Sequence, residues 1–485
     1  MRRIGDMDPE AFRRDAHRVV DWLADYLAHP DSYPVLSRVQ PGDVRDALPA
    51  HAPESGEPFD RIFADFERIV VPGLTHWNHP GFFAYFATTA SGPGILAEML
   101  SAGLNVQAML WRTSPAATEL EEVALGWLRD MMALPPSFEG VIYDTASIST
   151  LHALATAREV AVPHVRERGL VQPGAPAPCV YCSEHTHSSI EKAVVTLGLG
   201  LDAIRRVPAD ERFAMRPDAL RAAIADDRAA GRLPVAVVAT VGTTSSTSID
   251  PVDAIADVCE EAGVWLHVDA AYAGVMAILP EYRHLFAGAE RADSLVVNPH
   301  KWLFTPFDLS AFFCRRMDDL RRAFSLVPEY LRTTESAPVK NLMDTGVQLG
   351  RRFRALKLWM VLRYFGADGL RARLAEHCRL AQLFASWVDA DPHFERVAEV
   401  PFSVVCFRCR PAGVSNEAAL ETLNQSILDA VNASGEVFLS HTKLRGVYVL
   451  RLAVCNIRTT ELNVGRAWEL LRAHAARLAR ERAPA

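Results

Sequence analysis

The middle of this chain alternates short apolar segments with longer segments that have the periodicity of helices. Residues 235–241, 265–268 and 294–297 are such apolar segments, and they are rich in valine. Continuous apolar strands separated by helices are typical of a parallel sheet that is covered on both faces. We therefore predict an α/β fold with right-handed crossovers, in which ligands bind at the carboxyl ends of the strands.

Two titratable side chains directly follow two of these strands. Asp269 follows residues 265–268, and Lys301 ends the segment Asn-Pro-His-Lys that follows residues 294–297. A lysine that forms a Schiff base and an aspartate that pairs with a pyridinium nitrogen are the protein groups that pyridoxal phosphate (PLP) requires. The residue types alone leave open an exposed loop lysine and an aspartate that begins a turn. The shared position at strand ends favours the cofactor site.

Two polar segments are candidates for binding the cofactor phosphate. Residues 144–150 follow the strand-like residues 141–143 and precede a helix, and residues 242–244 follow the strand at 235–241. Small residues and backbone N–H groups at such junctions can bind a phosphate. Each segment is a weak signal by itself, because Ser/Thr clusters also cap helices.

Composition limits the other functions open to the chain. The 485 residues are 49% apolar and 23% charged, as expected for a globular protein of two or three domains. The net charge of −8 argues against a nucleic-acid surface. No segment approaches the ~18–20 apolar residues of a membrane span, and no secretory signal is recognised near Met1. We predict a cytoplasmic protein that binds neither nucleic acid nor membrane.

The eight cysteines do not suggest a disulfide framework, and reduced thiols are expected. Two Cys-x-x-Cys pairs occur, at Cys179/Cys182 and Cys406/Cys409, and the alternation around them predicts strands. A shared zinc site is the disfavoured alternative, because the pairs are far apart in sequence. We predict no metal site.

The segments at both ends of the chain differ from this middle part. Asp8 with Pro9 predicts the start of an N-terminal helix, and a second helix is predicted from about Asp60. Asp250 and Pro251 are predicted to cap a helix in the middle part. A long helix is predicted over residues 349–364. The strands predicted beyond it are residues 394–400, 404–409 and 447–454.

Ordered sequence blocks along nearly the whole chain resemble the group II PLP-dependent decarboxylases, in the aromatic-L-amino-acid decarboxylase branch. The blocks are His76-Trp77, Phe-Phe-Ala-Tyr-Phe at 82–86, residues 114–121, His-Ser-Ser at 187–189, residues 267–274, Asn-Pro-His-Lys-Trp at 298–302, and residues 349–354. The resemblance implies the type I PLP-dependent fold, with a mostly parallel seven-stranded sheet. It also implies an obligate homodimer with the active site at the subunit interface.

The resemblance implies that the chain is divided into three parts. Residues 1–91 would form an N-terminal helical segment that packs on the dimer partner. Residues 92–360 would form the large PLP-binding α/β domain, and residues 361–485 a small C-terminal α+β domain.

The resemblance also implies a role for each cofactor-binding residue. Lys301 would form the Schiff base, and Asp269 would pair with the pyridine nitrogen. His187 would stack on one face of the ring, and the small side chain of Ala271 would lie against the other. Thr244 would lie near the ring. The residues implied for the phosphate are Ala146, Ser147, Asn298 and His300.

Tyr330 bears on which product is released. In the family, a tyrosine at the matching position reprotonates the α-carbon after CO2 leaves. Relatives that make aldehydes by oxidative deamination tend to lose this tyrosine or the stacking histidine, and here Tyr330 and His187 are both present. The prediction is therefore simple decarboxylation to an amine. An aldehyde synthase and a non-catalytic binding scaffold are the alternatives.

The substrate pocket is implied to be aromatic. Gly350 leaves room for an indole, and no cluster of Lys or Arg suggests an acidic side chain in the substrate. We expect tryptophan, phenylalanine, tyrosine or their hydroxylated forms, with a non-aromatic amino acid as the alternative. The other residues that match pocket positions, for which plain core packing is the alternative, are Trp77, Tyr85, Phe86, Thr88, Thr145 and Phe307.

Four residues depart from the family pattern. Asp144 replaces a common glycine beside the phosphate segment, where a carboxylate is costly unless it points away or meets a cation. Thr145 replaces a common serine. Gln107 and Met109 replace a more apolar pair on the pocket wall that faces the partner. These differences bear on the substrate rather than on the cofactor.

Overall fold

A computed structural model describes residues 5–326 and 339–482 of the chain. Its α-helices are α1 Pro9–Ala28, α2 Asp43–Ala47, α3 Phe59–Asp65, α4 Gly92–Leu104, α5 Pro115–Met131, α6 Ala146–Ala161, α7 Val165–Arg168, α8 Ser189–Thr196, α9 Pro217–Ala229, α10 Val252–Ala262, α11 Pro299–Trp302, α12 Met317–Phe324, α13 Ala355–Ala390, α14 Glu417–Ala433 and α15 Glu461–Arg482. Its strands are β1 Glu139–Tyr143, β2 Pro178–Ser183, β3 Ile204–Val207, β4 Leu233–Thr240, β5 Trp265–Asp269, β6 Ser294–Val297, β7 Ser310–Cys314, β8 Phe394–Arg396, β9 Val404–Cys409, β10 Ser440–Leu444 and β11 Val447–Ala453.

The predicted α/β fold is confirmed by a seven-stranded sheet. Its strand order is β1-β7-β6-β5-β4-β2-β3. The pairs from β3 through β6 are parallel, and β7 runs antiparallel to both of its neighbours. The three apolar segments that led to the prediction are the central strands β4, β5 and β6. The carboxyl ends of these strands therefore lie side by side at one edge of the sheet.

Alternate side chains of the central strands pack on opposite faces of the sheet. Val237 and Val268 belong to the larger core, which includes residues of α5, α9, α10 and α13. Val238 and Trp265 belong to the core on the other face, with residues of α6, α8 and α12. Apolar side chains are buried on both faces, which is why these strands read as continuous apolar segments.

A second, antiparallel sheet has the strand order β10-β11-β9-β8. It packs with α13, α14 and α15 around a separate apolar core. The prediction for residues 404–409 is confirmed, and that for 447–454 ends one residue early at Ala453. The strand predicted over 394–400 was too long, because ladder pairing with β9 covers only Phe394–Arg396.

Of the two predicted helix caps, one is confirmed and the other is replaced by tertiary contacts. Asp8 does cap α1, through its contacts with the N–H groups of Glu10 and Ala11. Asp250 does not cap α10. Its buried carboxylate instead accepts hydrogen bonds from the N–H groups of Met215 and Thr240, both at 2.7 Å.

The long helix begins at Ala355, not at residue 349. The Arg351 N–H donates to Gln107 Oε1 at 2.6 Å, and Arg351 Nη2 forms a buried ion pair with Glu121 at 2.6 Å. Arg351 Nη2 also donates to the carbonyl of Ile142 at 2.8 Å. These contacts hold the residues before Ala355 outside the helix, beside the end of β1.

The cysteines occupy the strands that their alternation predicted. Cys179 and Cys182 lie on β2, and Cys406 and Cys409 lie on β9, so the two pairs belong to different sheets. All eight cysteines are free and buried. Among the residues that the structure describes, no helix combines the length and apolar composition needed to cross a membrane.

Candidate active site

A cavity of about 240 Å³ lies at the carboxyl ends of β4, β5 and β6. Each of these strands delivers one polar residue to it, namely Thr240, Asp269 and Asn298. The predicted residues that the cavity brings together are Phe86, Thr88, Thr145, Ala146, Ser147, His187, Thr244, Asp269, Ala271, Asn298, His300, Lys301 and Phe307. These residues are distributed over more than 200 positions of sequence, and only the sheet edge gathers them.

Lys301 lies in the short helix α11 that follows β6. Its Nζ is 5.4 Å from the centroid of the Phe86 ring. Burial lowers the pKa of Lys301, the charge of Arg451 lowers it further, and Asp269 acts in the opposite direction. The net lowering makes the neutral amine, which is the form that attacks an aldehyde, easier to reach.

Asp269 is the last residue of β5 and is almost fully buried. Its Oδ1 accepts a hydrogen bond from the Ala271 N–H at 3.0 Å. This bond orients the carboxylate at the cavity wall. Ala271 lines the same wall with only a methyl group, so the space beside the carboxylate stays open.

The two cavity histidines are held as neutral rings. His187 Nδ1 accepts from the Ser189 N–H at 3.1 Å, and His300 Nδ1 accepts from the Leu309 N–H at 2.9 Å. An Nδ1 that accepts a hydrogen bond assigns the proton to Nε2. Burial lowers the pKa of both rings, that of His300 to about 3. Both rings therefore remain uncharged at neutral pH, with one N–H donor each.

Stacked aromatic rings support Lys301 from behind. Phe86 stacks on Tyr272 with ring centroids 3.7 Å apart, and Tyr272 stacks on Trp302 at 4.6 Å. Trp302 Nε1 donates to His377 Nδ1 at 2.9 Å, which fixes the far end of the stack. Because these rings are close-packed, the backbone that carries Lys301 is held rigidly.

The amino-terminal end of α6 fits a phosphate group. Thr145 precedes this helix without capping it, so the first N–H groups of α6, at Ala146 and Ser147, are available to a ligand. The buried Thr240 Oγ1 and Asn298 Oδ1 have no hydrogen-bond partner among the described residues. Buried polar atoms are normally satisfied, so these two atoms indicate a site built for a polar ligand. The residues present therefore fit PLP.

The carboxylate of Asp144 is satisfied by neighbouring groups. Its Oδ1 accepts from the N–H and the hydroxyl of Thr145 at 2.5 and 3.0 Å, and its Oδ2 accepts from Gln348 Nε2 at 3.3 Å. These hydrogen bonds stabilise the carboxylate charge without a cation. The sequence had predicted instead that the carboxylate points away from the phosphate or meets a cation.

Three predicted pocket residues lie outside the cavity of the single chain. Trp77 and Tyr85 stack with ring centroids 6.1 Å apart and form an exposed aromatic surface. Gly350 packs against Gln107, whose Nε2 would be 3.2 Å from a Cβ added at position 350. Tyr330 lies outside the described residues, so its predicted role stays a prediction.

The cavity is also lined by three residues that the sequence did not assign to it, namely Ser189, Thr240 and Tyr272. Thr240 ends β4, so the rule that led to Asp269 could also have identified it. Ser189 and Tyr272 belong to the recognised sequence blocks, but only the folded chain shows that they reach this cavity. Gly242, from one of the two weak phosphate candidates, lines it as well.

Comparison with known proteins identifies the family. Residues 41–410 match the model of the pyridoxal-dependent decarboxylase conserved domain. A tryptophan decarboxylase of Camptotheca acuminata is 42% identical over 480 residues, covering 97% of this chain and 95% of the relative. A phenylacetaldehyde synthase of a Rosa hybrid cultivar is 40% identical over 485 residues, covering 97% and 94%.

The fold agrees with this assignment over the full length. The crystal structure of Oryza sativa TDC with PLP and tryptamine matches with a TM-score of 0.95 at 37% identity. The match covers 98% of this chain and 100% of that one. The chain therefore belongs to the pyridoxal-dependent decarboxylases, in the aromatic-L-amino-acid branch, and is a PLP-dependent carboxy-lyase with the type I fold.

Proposed function

We propose that the protein decarboxylates an aromatic L-amino acid to the corresponding arylalkylamine and CO2. The observation that carries this proposal is the presence of Lys301 and Asp269 in one cavity, at adjacent strand ends. The tryptophan decarboxylase relative and the structure with bound tryptamine support the choice of an aromatic substrate.

Bound PLP supplies an aldehyde for the substrate amine and a ring that accepts the electron pair left when CO2 departs. Lys301 would hold the cofactor through its side-chain amine, and the same amine could displace the product amine. Asp269 holds a negative charge at the cavity wall, where it can keep a ring nitrogen protonated. The His187 ring is neutral, so it can pack on the cofactor without adding a second positive charge that would pair with Asp269.

The cavity chemistry favours an apolar substrate side chain. Phe86, Tyr272 and Phe307 supply aromatic surface, while Lys301 is the one lysine or arginine among the residues that line it. A substrate with an acidic side chain would therefore meet no dedicated arginine or lysine in the part of the chain that the structure describes.

An aldehyde synthase is the second candidate, because the Rosa relative has that activity by name. Such an enzyme consumes O2 and water and releases aldehyde, CO2, ammonia and peroxide. The presence of both His187 and Tyr330 in the sequence favours the amine product.

The test is to incubate the purified, PLP-loaded protein with tryptophan, phenylalanine, tyrosine and their hydroxylated forms. CO2, amine and peroxide are measured together. We expect CO2 and amine in equal amounts and no stoichiometric peroxide from at least one substrate, and we expect Tyr330→Phe to raise the peroxide share. Peroxide equal to CO2 in the unsubstituted enzyme would identify an aldehyde synthase. Activity on acidic amino acids alone would contradict the aromatic assignment.

We further propose that the enzyme works as a homodimer with the active site at the subunit interface. The described surface supports this, because Leu96, Met99, Leu100 and Leu104 form an exposed apolar stripe along α4. Phe12 on α1 is also exposed, as expected of a helix that packs on a partner. Analytical ultracentrifugation should give twice the mass of one chain, and an active species of single-chain mass would contradict the proposal.

A further inference from the structure

A buried arginine outside the predicted site lies near Lys301. Lys301 Nζ and the central carbon of Arg451 are 5.4 and 4.6 Å from the centroid of the same Phe86 ring. Arg451 is on β11 of the antiparallel sheet, and only 3% of its surface is exposed. No carboxylate among the described residues forms an ion pair with it. A buried charge is usually paired, so an unpaired guanidinium at this depth requires an explanation. The residues that enclose this side chain belong to its own chain.

The guanidinium joins two segments of the active site. Its Nη1 donates to the Tyr85 carbonyl at 2.6 Å, and its Nε donates to the Ser245 carbonyl at 3.1 Å. Its central carbon is 4.6 Å from the centroid of the Phe86 ring, within cation–π range. Its Nη2 is buried and has no partner in the described part of the chain.

Both segments contribute directly to the cavity. Phe86 and Thr88 line it from one segment, and Thr244 lines it from the segment that contains Ser245. Tyr85 has a φ of +52°, a left-handed conformation that is costly for a residue with a side chain. The short hydrogen bond to its carbonyl helps to hold this conformation, and so helps to place the Phe86 ring.

We propose that Arg451 is a positioning residue of the decarboxylase site. It links residues 85–88 to residues 244–245 and places an unpaired positive charge beside Lys301. This inference rests on the proposed function, since it assigns Arg451 an effect on the lysine that binds the cofactor. Arg451 does not line the cavity, so it acts through the residues it holds and through its charge.

The charge of Arg451 has a defined effect on Lys301. It lowers the pKa of Lys301, whereas Asp269 raises it. Burial raises the pKa of the nearby Cys455 thiol to about 11, so this thiol is neutral at pH 7. The His187 and His300 rings are neutral as well, as described above. Among the described residues, Asp269 and Arg451 are therefore the charged groups that act on Lys301, and Asp269 would pair with the ring nitrogen of bound PLP.

The inference can be tested on the holoenzyme through the absorbance of PLP bound at Lys301, measured as a function of pH. Removing a positive charge makes protonation of the Lys301 nitrogen easier. Arg451→Met should therefore raise the pH midpoint of the absorbance change by about one unit. Arg451→Lys keeps the charge but loses the forked geometry, so its midpoint should stay near that of the unsubstituted enzyme.

Arg451→Lys should instead weaken the link between the two segments. Loss of one or two hydrogen bonds to the guanidinium should raise the dissociation constant of PLP by about 5- to 30-fold. Equilibrium dialysis of the cofactor measures this change. The variant then separates the effect of the charge from the effect of the geometry.

Arg408 on the adjacent strand β9 provides the matched control. It is also buried, but it pairs with Glu395 and Glu417, away from the cavity. Arg408→Met and Arg408→Lys should therefore leave both the pH midpoint and the PLP dissociation constant unchanged, whatever they do to stability. A shift of the same size in these controls would overturn the inference.

The remaining outcomes are decisive as well. A folded Arg451→Met variant with an unshifted midpoint would overturn the inference. If that variant does not fold, Arg451→Lys decides, and a PLP dissociation constant equal to that of the unsubstituted enzyme would overturn it. Failure of the proposed function is a different result, because the unsubstituted protein would then release no CO2 from any aromatic amino acid.

Discussion

The Lys301→Ala variant is expected to lose the visible absorbance of bound PLP and at least about 10⁴-fold of the decarboxylation rate. Alanine has no amine to form the Schiff base, and the surrounding cavity offers no second lysine among its lining residues. Absorbance spectra and CO2 release from the same preparation measure both losses.

Lys443→Ala is the matched control for this variant. Lys443 lies on β10, where it pairs with Glu421 and is largely exposed. Its removal should leave the spectrum and the rate unchanged. Full activity in Lys301→Ala would show that the cavity described here is not the catalytic site.

Asp269→Asn is expected to slow decarboxylation by about 10²–10³-fold. The substitution preserves the shape of the side chain and its contact with the Ala271 N–H, but removes the negative charge at the cavity wall. Without that charge a pyridine nitrogen loses its proton more easily, and the ring becomes a weaker electron acceptor. The rate of CO2 release at saturating substrate measures the loss, because it reports the chemical step rather than binding.

The control for this change is Asp293→Asn. Asp293 precedes β6 and accepts a hydrogen bond from the Leu266 N–H, so it lies at the opposite end of the same strands. Its substitution should affect stability more than rate. An Asp269→Asn enzyme as fast as the unsubstituted one would refute the proposed role of the carboxylate.

The central strands and the residues at their ends were predictable from local sequence. Apolar segments that are buried on both faces leave a continuous pattern, and β4, β5 and β6 all have it. The carboxyl ends of parallel strands meet at one edge, so Asp269 and Lys301 could be placed together before any coordinates were known.

Features that depend on distant contacts were not predictable in this way. Asp250 resembles a helix cap in sequence, but its carboxylate is taken by two N–H groups from other segments. Residues 349–354 continue a helical pattern, yet Gln107 and Glu121 hold Arg351 outside the helix. In each case hydrogen bonds with other segments of the chain compete with the local helical preference and win.

We retain as predictions the role of Tyr330, the cytoplasmic location, and the roles assigned to the individual site residues. The division into residues 1–91, 92–360 and 361–485 also stays a prediction, and its second boundary falls inside α13.

The sequence by itself determined the class of fold and the cofactor, because strand periodicity and short motifs are local properties of the chain. The same motifs predicted the lysine and the aspartate that would serve the cofactor. Only the tertiary structure decided what surrounds them. Arg451 is an ordinary arginine in an alternating strand when read locally. Its importance appears when β11 packs against the 85–86 and 244–245 segments, because an unpaired charge acquires its effect from burial and from the neighbours that the fold brings to it.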